Sequence, residues 1–183
     1  MEFVEPIKDI EDILKMKKLL YKHSKRDYLF FVFGINTGMR ISDLLQVKVK
    51  DIRENGMIRD FLTPQQTNTI FYLNKMVKCA LSDYLAHCQL SEEDYLFKSK
   101  KNDQPITRQQ AYRIINKAAL EVGILKKTGT HTLRKTFGYH AYKKGIALSI
   151  LQRIFNHSTS SETLHYIGID KQSDDTIKVD VNL

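Results

Sequence analysis

The sequence predicts an α+β fold, mainly α-helical, with one small three-stranded antiparallel sheet. Three observations point there. Apolar residues recur at spacings of three and four along most of the chain. A single stretch, 47–73, changes to β-branched and aromatic residues separated by turn residues. No repeat, low-complexity tract or Pro/Gly/Ser linker breaks the order, so the 183 residues read as one domain, 1–183.

The elements follow in order. Ile10 to Tyr21 places Ile10, Ile13, Leu14 and Leu20 on one side with the lysines largely opposite, an amphipathic helix. Asp27 to Asn36 is apolar nearly all round and so belongs at the centre, and Gly38 is placed to end it in a left-handed conformation. Arg40 to Gln46 forms a third helix. Strands are expected at VKVKDI, MIRDFL and IFYL, with Glu54-Asn55-Gly56 and Thr63 to Thr69 as the turns. Helical spacing resumes from Lys75 to Cys88. A further helix opens at Pro105-Ile106-Thr107, where Thr107 and Gln110 make a capping box and Ile106 and Ala111 a weak staple. Helix continues to about Tyr166. The tail, about 168–183, contains the alternating run TIKVDVN, which suits an edge strand that either folds back or passes to a neighbouring protomer.

Composition bounds the function. Lys plus Arg outnumber Asp plus Glu by 29 to 21, a net charge of +8, which favours a polyanionic partner because neutralised phosphates release counterions. Charge alone does not identify that partner. Cys79 and Cys88 show no metal-ligand spacing and read as inert core thiols, and no cofactor motif is present. With no signal-like segment and no apolar run of about 18 residues, the expected setting is the cytoplasm, away from membranes.

Four clusters carry chemistry suited to phosphoryl transfer without a metal. In Gly38-Met-Arg40-Ile-Ser42-Asp43, an arginine follows a glycine turn at a helix start, where its planar fork can reach two phosphate oxygens and Asp43 can hold it in place. In His131-Thr-Leu-Arg134-Lys-Thr-Phe137-Gly138, His131 and Arg134 share a helix face, while Gly138 suits a position that another backbone approaches. Leu133, Phe137, His140 and Ala141 form an inward stripe, with His140 structural. Asn156-His157-Ser158 and Thr163-Leu-His165-Tyr166 supply another imidazole and a phenol. Ser160 or Ser161 is the expected N-cap of the short helix that carries Tyr166. A phenol titrates near pH 10, so it attacks phosphorus well only beside a base and positive charge. Each cluster alone has an ordinary explanation as an ion pair, a cap or a packing residue.

Together, Arg40, His131-x-x-Arg134, His157 and Tyr166 resemble the signature of the tyrosine recombinase, or phage integrase, family, with T-G-M-R-I-S-D-L-L, H-T-L-R-K-T-F-G, N-H-S and T-L-H-Y-I agreeing around them. The resemblance implies an integrase-type catalytic domain acting on double-stranded DNA, without cofactor or metal, as a homo-oligomer on the DNA of a prophage or other mobile element. It implies that Tyr166 is the nucleophile forming a 3′-phosphotyrosyl bond. Arg40 and Arg134 then bind the non-bridging oxygens, His131 takes the phenol proton, His157 gives a hydrogen bond to the phosphate, and Asp43 orients its neighbours. Alternatives are a DNA-binding remnant with weakened catalysis and type IB topoisomerase-like relaxation.

Two departures from the family pattern stand out. The family's hairpin lysine, which protonates the leaving 5′ oxygen, has no counterpart in the turn Thr63 to Thr69, and neither Lys75 nor Arg59 matches its place. The family's N-terminal DNA-clamping domain also has no counterpart, since only about 25 residues precede the helix leading to Gly38. The sequence does not give the target site.

Overall fold

In the computed structural model, which describes residues 4–64 and 69–169, the apolar helix is the hub. Helix α2 (Lys25–Thr37) packs on α1 (Ile10–His23), α5 (Lys75–Ala86) and α7 (Thr130–Lys143). Leu29, Phe30, Phe31, Val32 and Phe33 are all fully enclosed. Five consecutive buried side chains require partners on every face of the helix, and Phe97 supplies one edge, its ring 5.4 Å from Phe30 and 6.3 Å from Phe33. Ser24 caps the start of α2 through the Asp27 N–H, and Gly38 ends it with φ +65°. A side chain at Gly38 would be strained in that conformation and would also strike the Phe137 ring.

Around this centre, α3 (Ile41–Leu45) follows the Gly38 turn and α6 (Arg108–Glu121) packs on both α1 and α7. The expected capping box opens α6, with Thr107 Oγ1 accepting the Gln110 N–H at 3.1 Å and the Gln110 side chain accepting the Thr107 N–H at 2.8 Å. Helices α8 (Leu148–Phe155) and α9 (Ser160–Tyr166) close the described chain. They enclose a small apolar cluster of their own, Leu151, Phe155 and Ile167, beside the main core. No helix among the described residues is long and apolar enough to cross a membrane.

The sheet differs from expectation. VKVKDI is not a strand: Lys48 makes an isolated bridge to Tyr95, and Val49–Ile52 forms a short helix, α4. Asp51 turns the chain there by accepting the Lys48 N–H, and the Val49 and Lys50 N–H groups go to the carbonyls of Asp94 and Glu92. A local carboxylate and a neighbouring loop thus satisfy the backbone that a ladder would have used. The strands are β1 (Arg53–Glu54) paired with β2 (Met57–Ile58), and β3 (Phe61–Leu62) paired with β4 (Phe71–Tyr72), all antiparallel. MIRDFL changes partners midway, so two ladders replace one three-stranded sheet.

Smaller corrections have equally local causes. Helix α5 stops at Ala86 with His87 as its cap, leaving Cys88 beyond it and half-buried, while Cys79 is exposed rather than in the core. Thr159, not Ser160 or Ser161, caps α9 through the Glu162 N–H at 3.1 Å. At Gly138 the close approach comes from side chains: a Cβ there would lie 2.6 Å from both Ile167 Cγ2 and Phe155 Cζ. The anticipated edge strand, and residues 65–68 of the lysine-free turn, lie outside the described residues.

Residues 4–8 form a strap across α7. Ile7 donates its N–H to Thr136 Oγ1 at 2.9 Å, and its carbonyl accepts from His140 Nε2 at 2.9 Å, giving His140 the structural role expected of it. Lys135 Nζ donates to the Val4 carbonyl, and Lys8 Nζ to that of Gly168, two residues past Tyr166.

Candidate functional site

All the motif clusters meet at one cleft of about 210 Å³, lined by Arg40, Ser42, Arg108, His131, Arg134, Phe155, His157 and Tyr166 among others. The side chains come from α3 and the residue before it, α6, α7, the end of α8 and the turn after it, and α9. Among the described residues, every ionisable group on the lining is a guanidinium, an imidazole or the phenol, with no carboxylate among them. Such a wall favours an anion with several acceptor oxygens.

Arg134 ties the clusters together. It is buried, and its two terminal nitrogens donate to the carbonyls of Gly38 and Ile154, the latter at 2.9 Å. The first carbonyl belongs to the turn that presents Arg40; the second belongs to the end of α8, just before His157. Its guanidinium also covers the Phe155 ring at 4.8 Å. Two of its five N–H donors are used this way, leaving others for the cleft. Burial lowers the Arg134 pKa, opposed by the phenol of Tyr166 and by the buried carboxylate of Asp43. Among the described residues no ion pair joins Asp43 to Arg40 or to Arg134; its carboxylate accepts the Ser42 hydroxyl at 3.3 Å.

Arg40 is exposed at the N-cap of α3, directed by the left-handed Gly38 before it. His131 is the second residue of α7 and is also exposed. Its pKa is lowered by burial of part of the ring and then by the charges of Arg108, Lys135 and Arg134. An imidazole so placed is neutral at neutral pH and open to a proton.

Asn156 ends α8 in the left-handed conformation, φ +57°, a turn that Asn tolerates well, and so aims His157 into the cleft. The His157 ring stands edge to face on Tyr166 at 4.9 Å, and its Nδ1 lies 3.1 Å from Thr163 Oγ1. Burial lowers its pKa, Glu162 opposes that, and Arg134 adds to it. Tyr166 ends α9 with its ring half-buried between Phe155, at 5.1 Å, and the ammonium of Lys135, at 5.2 Å. Burial raises its pKa, and the nearby guanidinium groups of Arg134 and Arg40 pull it back.

The sequence reading missed Arg108 and Thr163. Arg108 had a signal in being the first residue of a capped helix; Thr163 had none, because its partner is six residues away. The two candidates for the missing lysine do not line the cleft: Arg59 pairs with Glu54 at 3.5 Å, and Lys75 begins α5 on the surface.

Residues 6–173 match the model of the phage integrase family. The chain is 42% identical over 173 residues to a probable integrase/recombinase, YoeC, of Bacillus subtilis, covering 94% of each. It is 30% identical over 168 residues to a tyrosine recombinase of Pseudothermotoga lettingae, covering 91% of this chain but 57% of that protein. Among solved structures, XerA recombinase superposes with a TM-score of 0.75 at 20% identity, over 93% of this chain and 61% of that one. XerH bound to its difH substrate gives 0.71 at 23% identity, over 90% and 49%. At those identities the structures speak for the fold. The model match over nearly all of the chain and the identity to YoeC speak for descent: the chain belongs to the phage integrase family, whose members are tyrosine recombinases.

Proposed function

We propose that this chain performs site-specific recombination by cutting and rejoining double-stranded DNA through a covalent bond between Tyr166 and a backbone phosphate. The observation that carries the proposal is the cleft itself, where two motif arginines, two imidazoles and the phenol share one lining with no carboxylate among its described residues. Arg40 and Arg134 hold the non-bridging oxygens, where charge grows in the transition state. His131 receives the phenol proton as Tyr166 Oη bonds to phosphorus and the bond to the 5′ oxygen breaks. His157 supports the phosphate, and Asp43 steadies Arg134. Attack by a 5′ hydroxyl from a second duplex reverses the step and restores the phenol, so no cofactor or metal is required.

Exchange between two duplexes involves four strand cuts, and each chain offers one such phenol; a homo-oligomer assembled on DNA follows. The setting is the cytoplasm, at the nucleoid. No lysine lines the cleft among the described residues, so the family's usual donor to the leaving 5′ oxygen has no counterpart there, and this favours a second reading in which the chain binds its site and cuts slowly. General acid help is typically worth about 10² to 10⁴-fold.

The test is a nicked suicide duplex that traps the cleaved state. The unmodified protein is expected to form a covalent adduct that resists denaturant and persists with chelator present, while Tyr166→Phe binds with little change and forms none. An adduct surviving in Tyr166→Phe would remove Tyr166 from its role. Saturated binding without adduct from the unmodified protein would select the slow-cutting reading.

A further inference from the structure

Thr163 is fully buried on α9, and its hydroxyl sits between two partners: the carbonyl of Thr159, at 3.2 Å, and His157 Nδ1, at 3.1 Å. A hydroxyl has one hydrogen. With that hydrogen on the Thr159 carbonyl, the back-bond a helical threonine commonly makes, the oxygen lone pairs face His157, and Nδ1 carries the proton and donates. The neutral ring then has a bare Nε2, the nitrogen that Thr163 does not engage, on a ring that lines the cleft. A bare imidazole nitrogen cannot give a hydrogen bond to a phosphate oxygen.

We infer that Thr163 is a positioning residue that locks His157 in the Nδ1–H tautomer, so that His157 reaches a phosphate as a donor only when its ring is the doubly protonated imidazolium. This rests on the phosphate-transfer reading above for what Nε2 meets, but the tautomer itself rests on the two contacts alone. The lock turns His157 from a fixed neutral donor into a charged one that forms in response to its ligand.

The groups around the ring fit such a response. Tyr166 and Glu162 face it from α9, Arg134 from α7, and Arg40 and His131 share the cleft with it. Glu162 is itself engaged, accepting the Ser158 N–H at 2.9 Å. In the free protein, burial lowers the ring's pKa, Glu162 opposes that and Arg134 adds to it, which favours the neutral form. A phosphodiester brings a negative charge next to Nε2, and an opposite charge at that distance favours the protonated form. Protonation on binding, rather than a ready-made cation, is what the geometry provides. The charged form gives the stronger hydrogen bond to the phosphate oxygen.

Long-range proton–nitrogen NMR of the whole chain in the absence of DNA reads the tautomer directly, with His157→Gln identifying the signal among the six histidines. The neutral His157 ring is expected to show protonated Nδ1 and bare Nε2 in the unmodified protein and in Thr163→Ser. In Thr163→Val the lock is lost, and the ring should move toward the Nε2–H form that free imidazole side chains prefer. A protonated Nε2 in the unmodified protein, or an unchanged tautomer in Thr163→Val, overturns the inference.

Adduct formation against pH adds the functional readout. The decline at high pH, where the imidazolium is lost, should be present in the unmodified protein and in Thr163→Ser. It should be absent in Thr163→Val, whose neutral ring can donate from Nε2. The same decline in all three overturns the role given to the lock. Absence of adduct from every form overturns the strand-cutting reading instead, and the NMR spectrum still decides the tautomer.

Discussion

At the scale of single residues, Arg134 carries both structure and chemistry. Its guanidinium joins the Gly38 turn to the end of α8 and so sets how far Arg40 stands from His157. Arg134→Lys keeps a positive charge but cannot reach two carbonyls and a phosphate at once. The expected result is an adduct rate lower by about 10² to 10³-fold, in the range seen when one donor to the transition state is removed. Loss of about 1–3 kcal/mol in urea unfolding should accompany it, from the carbonyl left without a donor. The pH dependence has a definite sign as well. His131 must be neutral to receive the phenol proton, and its pKa is depressed. Adduct formation should therefore rise as pH increases through a value below the ordinary histidine range, and His131→Gln should remove that rise. That Arg40, His131, Arg134, His157 and Tyr166 would share one cleft was legible in the sequence, because their types and order form a pattern. The presence of Thr163 and Arg108 was not, because each depends on partners that only the folded chain brings near.

At the scale of elements, the nucleophile helix is short and held from two sides. Phe155 and Ile167 press on Gly138, and the strap 4–8 reaches both Lys135, beneath the Tyr166 ring, and Gly168 beyond it. Gly138→Ala puts a methyl group where those two side chains already stand, an overpacking that typically costs about 1–3 kcal/mol. It should also slow adduct formation, since Ile167 follows Tyr166 directly; normal stability and normal rate together would contradict this packing. Thr136→Val leaves the Ile7 N–H without its acceptor and should destabilise by about 1–3 kcal/mol in the same unfolding measurement. Helices were the legible part of the fold. The apolar run of α2, its glycine stop and the α6 capping box are local signals, and each appears where the sequence placed it. The VKVKDI segment was misread because its β-branched alternation competes with Asp51 and with the loop at Glu92 and Asp94, and no local pattern announces that loop.

At the scale of the whole molecule, a net charge of +8 and a cleft whose described lining carries no carboxylate suit a phosphate backbone. Affinity for duplex DNA should fall steeply with salt, as counterion release requires. Arg108→Gln should weaken binding to all sequences alike and reduce the slope of log affinity against log salt by about one. A salt slope unchanged by that substitution would take Arg108 off the backbone. The measurement that bears most directly on the central claim is the identity of the residue joined to DNA. After trapping on a nicked duplex, nuclease and trypsin digestion should leave the peptide Ile154 to Lys171 carrying a nucleotide remnant, and fragmentation should place the phosphate on Tyr166. A remnant on any other side chain, or an efficient cut with no protein attached to the 3′ phosphate, would contradict the account.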